Sequence, residues 1–104
     1  MKAIVNGLIY DTEDAHHIGD GGTEAPVNDF RHSSEALYRT EAGRFFLAGE
    51  GGPKTRWAET LPDGARKEGS GIIPLSEAEA LSWAEANLSP DTLIKVFGAQ
   101  IERA

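Results

Sequence analysis

Cysteine is absent from the 104 residues of this chain, which excludes disulfide bonds, thiolate zinc sites and cysteine nucleophiles. The absence is compatible with a reducing compartment. Long apolar runs are missing as well, because no run approaches the roughly 18 apolar residues that a membrane helix needs. The short apolar run after Met1 breaks at Asn6-Gly7, before it reaches the length of a signal peptide's apolar core. We therefore expect a single domain, residues 1–104, that is soluble and cytoplasmic.

Basic residues are scarce: 10 Lys and Arg stand against 17 Asp and Glu, for a net charge of -7. Such a chain lacks the basic footprint of a nucleic-acid-binding protein, so direct contact with DNA or RNA is not expected. An acidic surface favours either solubility or a basic protein partner. The densest acidic cluster precedes the middle of the chain, and we interpret it as a partner-binding face: Asp11, Glu13, Asp14, Asp20, Glu24 and Asp29.

Motifs that would indicate catalysis are also missing. The glycine-rich stretch 49–53 (GEGGP) lacks the lysine and hydroxyl spacing of a phosphate-binding loop and the helix that must follow it. Glu50 in this stretch is either a general base or, the reading we favour, an ion-pair partner of Arg56. The adjacent His16 and His17 point about 100° apart on a helix, so they do not share a metal as i and i+4 residues do. The sequence predicts no catalytic residues, no cofactor and no metal site.

Strand signals dominate the first three quarters of the chain. Asn-Gly at 6–7 between apolar runs predicts a tight hairpin. Residues 35–40 and 44–49 predict a second hairpin, whose second strand carries apolar side chains on both faces and is therefore expected to be central. Residues 54–60 are a weaker strand candidate. Residues 72–75 predict a short strand, with Pro74 at a sheet edge or a strand end because it cannot donate to a ladder.

Helix signals lie at both ends. Asp11 or Thr12 is expected to cap a short helix that Gly19 ends, with a loop over 19–29. Ser76 and Glu79 form a capping box that predicts a helix over 77–87, and Ser89-Pro90-Asp91 predicts the start of a second. The expected fold class is α+β: an antiparallel sheet of four to five strands, two C-terminal helices and a short N-terminal helix.

The two tryptophans are the remaining candidate site residues. Trp57 follows the glycine-rich stretch, and Trp83 lies on the flank of the first C-terminal helix, off its apolar arc of Ala80, Leu81, Ala84 and Leu88. Large aromatics in such places anchor interfaces or cover the rim of a small core. We expect at least one to be largely buried and the other to contact a partner.

Three strings resemble a family of small orphan proteins of phages and mobile elements: YDTE at 10–13, LYRT..G.FFLAGEGGP.TRW at 37–57 and IIPLSEAEALSWAE at 72–85. The resemblance covers most of the chain except the loops at 19–30 and 60–71. Some small acidic proteins of such elements are anti-CRISPR proteins, which bind a CRISPR effector and block DNA access or nuclease recruitment. The resemblance implies a mobile-element origin and carries over no catalytic residues.

The leading hypothesis is therefore a non-catalytic inhibitor in the host-cell cytoplasm that binds the basic surface of a CRISPR effector complex. The alternative is a structural or accessory interaction domain, homodimeric through an exposed aromatic patch. A small enzyme that uses Glu50 or a histidine is the third hypothesis, and a deep pocket holding both would favour it.

Overall fold

The structure, a computed structural model, describes residues 1–23 and 25–104. In this part of the chain the strands are β1 Lys2–Val5, β2 Leu8–Asp11, β3 His16–Gly22, β4 Ser33–Arg39, β5 Phe45–Gly51, β6 Glu59–Thr60, β7 Arg66–Lys67 and β8 Gly69–Leu75. The helices are α1 Glu77–Asn87 and α2 Pro90–Phe97, followed by a 3-10 turn at Gly98–Gln100. The predicted α+β class, with its antiparallel sheet and two C-terminal helices, is confirmed.

The main sheet is antiparallel in the order β3-β4-β5-β8, and β5 lies between two hydrogen-bonded neighbours as predicted. Phe45 and Leu47 point towards the helices, while Phe46 and Ala48 point towards the β1-β2 hairpin. Both sets are buried. The sheet is therefore the middle of three layers, with an apolar core on each face. Pro74 lies on β8, an edge strand of this sheet, also as predicted.

The N-terminal hairpin forms at the predicted Asn-Gly turn, where Asn6 has φ 51° and Gly7 has φ 77°. These positive values match the type I′ turn that Asn-Gly favours. The hairpin buries Tyr10 against the sheet, with its ring edge-to-face on Phe46 at 5.4 Å. Tyr38 of β4 stacks on the same Phe46 at 5.2 Å. The core between the sheet and the hairpin thus contains three aromatic rings in contact, those of Tyr10, Tyr38 and Phe46.

The two C-terminal helices begin where predicted. In α1 the Ser76 hydroxyl accepts from the Glu79 N–H and the Glu79 carboxylate accepts from the Ser76 N–H, which completes the capping box. Hydrogen bonding with Ser76, first with its backbone N–H and then with its side chain, lowers the pKa of Glu79. The Ser89 hydroxyl caps α2, with Pro90 as its first residue. Phe97 at the end of α2 is buried and stacks on Phe45 at 5.2 Å.

The predicted N-terminal helix is wrong. Asp11 caps only a turn, in which its carboxylate accepts from the Glu13 N–H at 3.0 Å. The chain then enters β3, which pairs with β4 from His16 to Gly22. A helix of about one turn is marginal because nucleation is costly, whereas pairing along β4 satisfies the same backbone groups within a sheet. The first part of the predicted loop at 19–29 is therefore an edge strand.

The predicted third strand at 54–60 is only partly present. Residues 53–57 form turns, and Glu59–Thr60 pairs with Arg66–Lys67 in a small separate hairpin. The longest helix in the described residues has 11 residues, and none of the helices there is long and apolar enough to cross a membrane.

Candidate functional site

A buried carboxylate lies at the centre of the helix-facing side of the sheet. Glu35 is the third residue of β4 and is only 9% exposed. Its cross-strand neighbours in the sheet are all glycines: Gly21 on β3, Gly49 on β5 and, beyond it, Gly71 on β8. In this row of paired residues, Glu35 is therefore the one residue with a side chain, and its neighbours are glycines.

Two indoles converge on this carboxylate from different elements. The Trp57 Nε1–H donates to Glu35 Oε1 at 2.9 Å, and the Trp83 Nε1–H donates to Glu35 Oε2 at 2.5 Å. Trp57 comes from the turn between β5 and β6, whereas Trp83 comes from α1. We call Glu35, Trp57 and Trp83 the tryptophan–carboxylate clamp. It joins the sheet to α1 and to the turn that follows β5.

The glycines of the row make the clamp sterically possible. A Cβ at Gly21 would lie 2.6 Å from Trp83 Cζ2, and a Cβ at Gly49 would lie 2.6 Å from Trp57 Cε2. Real Cβ atoms do not approach other atoms this closely, so each indole occupies space that a side chain at the neighbouring strand position would fill. Glycine is thus required here for close approach rather than for a special backbone angle.

The turn that carries Trp57 is held by its own hydrogen bonds. The Thr55 hydroxyl donates to the Gly52 carbonyl at 2.8 Å and accepts from the Trp57 N–H at 3.2 Å. The Lys54 N–H donates to the Phe30 carbonyl at 2.9 Å. The Trp57 ring is therefore positioned from both ends, by its backbone and by Glu35.

The clamp is a fully hydrogen-bonded polar cluster inside the core between the sheet and the helices. Both carboxylate oxygens accept an indole N–H, and within the described part of the chain no buried side-chain N or O atom lacks a partner. Buried polar groups are tolerated when they are fully paired. The clamp therefore links the sheet to α1 and to the turn after β5, with one indole N–H bonded to each carboxylate oxygen.

Beside the clamp lies an open cleft of about 930 Å³. Its walls are the 27–32 loop, the turn from Gly51 to Ala58 and the segments around β6, β7 and the start of β8. Trp57 lines it from within, Phe30 lines it at the surface, and several charged side chains complete it. Trp57 is therefore shared between the clamp and the cleft.

Both tryptophans were expected to be site residues, and burial changes that interpretation. Trp57 is 5% exposed and Trp83 is 8% exposed. The expectation that at least one is largely buried is confirmed, but the other is buried too. Because both indole N–H groups are used by Glu35, the exposed aromatic patch predicted for a partner or a homodimer is not formed by either ring.

The residues of the predicted acidic face do not share one surface. Asp11 is buried, accepts from the Glu13 N–H and has Lys2 Nζ at 3.6 Å, so it stabilises the N-terminal turn and is not available as partner-binding surface. Glu13, Asp14 and Asp20 are exposed around the turn before β3 and on β3 itself. We call these three residues the exposed acidic face. Glu24 lies outside the described residues.

Asp29 stands apart from that face, at the rim of the cleft. The Arg31 side chain contacts both of its carboxylate oxygens, at 3.1 and 3.0 Å, and the Arg31 N–H donates at 2.7 Å. These hydrogen bonds from Arg31 lower the pKa of Asp29 to about 2. In turn, the contact with Asp29 raises the pKa of Arg31.

Glu50 and His32 both line the open cleft, whereas His16 and His17 lie on β3 and do not line it. Glu50 is exposed, and its predicted ion pair with Arg56 is not among the ion pairs of the described residues. His17 contacts Asp20 at 2.8 Å and His16 contacts Glu41 at 3.2 Å. Within residues 1–23 and 25–104, no group of three or more His, Asp or Glu side chains is arranged to hold a metal ion.

Glu35 is the residue that the sequence interpretation missed, although a signal was present. Strand alternation places it on the same face as Leu37, which means a carboxylate on a core face. A buried carboxylate needs donors, and tryptophan is a donor that belongs in a core.

Comparison of the chain with protein-family models, with curated proteins and with solved structures found no match.

Proposed function

We propose that this protein is a non-catalytic binding domain that inhibits a host defence complex by occupying a basic surface. The partner that the resemblance to small phage proteins implies is a CRISPR effector. The observation that supports the proposal is the exposed acidic face, Glu13, Asp14 and Asp20, on a chain of net charge -7.

The physical basis is competition for a groove. CRISPR effectors hold nucleic acid in channels lined with Lys and Arg. A folded acidic domain that enters such a channel excludes DNA electrostatically, and long-range attraction between opposite charges speeds its association. The β3 edge suits this role because the turn before it and the strand itself present carboxylates to solvent.

The test is a binding measurement against a panel of purified DNA-targeting CRISPR effector complexes, with target-DNA binding as the second readout. We expect binding that blocks DNA and that weakens as salt rises from 50 to 500 mM, because exposed charges are screened over a Debye length of about 10 Å at 0.1 M. Binding that does not respond to salt would contradict the electrostatic mechanism.

A matched pair of triple variants locates the contact. Glu13→Gln, Asp14→Asn and Asp20→Asn together remove three charges from the exposed acidic face, and we expect affinity to fall about tenfold or more. Glu77→Gln, Glu85→Gln and Glu102→Gln remove three charges from the helical side of the protein, and we expect little change. Equal loss in both variants would show that only net charge matters.

The second candidate is an accessory interaction domain that works as a homodimer, and one observation favours it. Ile4 and Ile9 lie directly opposite each other on the β1-β2 hairpin and are 71% and 63% exposed. Such a pair is self-complementary across a two-fold axis. Light scattering after size exclusion should then report a dimer that Ile4→Ser with Ile9→Ser dissociates; a monomer at high protein concentration would exclude this candidate.

A further inference from the structure

The open cleft beside Trp57 has the dimensions of a ligand site. Its volume of about 930 Å³ is close to the upper end of the roughly 300–1,000 Å³ that binding clefts span. Two of its walls, the 27–32 loop and the turn from Gly51 to Ala58, are joined by hydrogen bonds from the Gly52 N–H to the His32 carbonyl and from the Lys54 N–H to the Phe30 carbonyl, each at 2.9 Å. The backbone of these two walls is therefore held in place.

Two aromatic rings line the cleft, and one of them is exposed. The Phe30 side chain is 64% exposed, although its backbone is held against the 52–54 turn. A Cβ at Gly52 would lie 2.5 Å from the Phe30 carbonyl oxygen, so the two segments are in close contact. Trp57 forms the inner wall, positioned by the clamp. A large ring on a fixed backbone at the mouth of a cleft is a ready surface for a ligand to cover.

The charges of the cleft determine the sign of the ligand. Its lining contains four carboxylates and one lysine: Asp29, Glu50, Glu59, Glu68 and Lys67. Asp29 is paired with Arg31, and Glu59 is paired with Lys67 at 3.5 Å. Among the described residues, Glu50 and Glu68 have no cationic side chain within 4.0 Å. The lining of the cleft therefore includes two aromatic residues and two acidic residues without a cationic partner in the described part of the chain, and this composition favours a cation.

We propose that this cleft binds an arginine-bearing extended segment of a partner protein. The guanidinium group is planar, stacks on aromatic faces and pairs bidentately with carboxylates. Phe30 supplies the face to stack on, and Glu50 and Glu68 supply the acceptors. The inference rests on the proposed binding function, and it specifies which part of the partner this protein recognises.

The experiment uses a capped octapeptide of alternating arginine and alanine and the isotope-labelled full chain, followed by two-dimensional amide NMR. The chain has two tryptophans, so it gives two indole N–H signals. We expect the Trp57 signal and the amide signals of the 27–32 and 51–58 segments to shift on titration. The Trp83 signal should shift much less, because Trp83 does not line the cleft.

Matched variants identify the groups responsible. Glu50→Gln with Glu68→Gln should weaken peptide binding about fivefold, and Phe30→Ala should weaken it about threefold. Glu77→Gln with Glu85→Gln removes the same charge from α1 and should leave affinity within about 1.5-fold of the parent. All these side chains are exposed, so folded variants are expected, and their amide spectra check this.

Three results would overturn the cleft proposal: no binding of the peptide, equal weakening by both double variants, or shifts confined to the exposed acidic face. An octapeptide of alternating serine and alanine that binds as tightly would also overturn it. Failure of the proposed function is separate, because the peptide experiment contains no effector. Peptide binding in the cleft without effector binding would exclude the effector as the partner and would still support the cleft as a binding site.

Discussion

Glu35→Gln is the substitution that tests the tryptophan–carboxylate clamp most directly. Glutamine has the shape of glutamate, but one carboxylate oxygen becomes an NH2 group. The remaining oxygen can accept one indole N–H, while the NH2 donor faces the second indole, which has no acceptor capacity. The change therefore breaks one of the two hydrogen bonds without creating a cavity.

The size of the effect follows from burial. Glu35 is 9% exposed and both indoles are 8% exposed or less, so water cannot replace the lost acceptor. A buried donor left unsatisfied costs about 1–3 kcal/mol, and we expect Glu35→Gln to lower the free energy of unfolding by about 2 kcal/mol. Glu35→Ala leaves both donors unsatisfied and should cost about 4 kcal/mol. These are large fractions of the roughly 5–15 kcal/mol typical of a domain.

The assay is urea unfolding followed by tryptophan fluorescence, with the two indole N–H signals recorded by NMR. Glu50→Gln is the control, because it makes the same chemical change on an exposed side chain of the adjacent strand and should stay within about 0.5 kcal/mol of the parent. If Glu35→Gln unfolds at the same urea concentration as Glu50→Gln, and neither indole signal moves, the clamp does not contribute to stability as argued.

Two further predictions concern Gly49, which lies beneath the Trp57 ring of the clamp, and Asp29, which lines the cleft. Gly49→Ala places a Cβ 2.6 Å from the Trp57 ring and should lower the free energy of unfolding by about 2 kcal/mol. Gly71 is the cross-strand neighbour of Gly49, and a Cβ there would have no atom within 4 Å, so Gly71→Ala should be near neutral. Equal urea midpoints for the two variants would refute the steric argument. Because the folded pKa of Asp29 is lowered from 3.8 to about 2, its stabilising contribution is fully present above about pH 4 and is lost as pH falls towards 2. Arg31→Ala should raise the Asp29 pKa, which carbon-detected NMR titration of the carboxyl measures, and an unchanged pKa would contradict the assigned cause.

Local signals predicted those elements whose cause lies within a few residues. The Asn6-Gly7 turn and the capping box of Ser76 and Glu79 are of this kind, because their geometry is set by backbone angles and short-range hydrogen bonds. Alternation along β5 predicted a central strand covered on both faces, since each of its two faces carries apolar side chains.

The incorrect predictions concern segments whose structure depends on distant partners. Asp11 has the chemistry of a helix cap, yet the residues after it pair with β4 because an edge position in the sheet was available. Trp83 lies on the flank of its helix by spacing, but Gly21 on β3 leaves room for its indole. β4 is distant in sequence from Asp11, and Gly21 is distant from Trp83, so no local pattern indicates the pairing of β3 or the burial of Trp83.

The sequence alone therefore determined the α+β class, the principal turns and caps, the central strand and the net charge of -7, since each depends on composition or short-range geometry. The tertiary structure decided which of the candidate side chains are exposed and which are buried. It buried Asp11 and both tryptophans, whose indoles bond to Glu35, and it brought the 27–32 loop beside the turn that follows β5 to form the cleft. These arrangements depend on strand register and layer packing, which bring together side chains that the sequence keeps far apart.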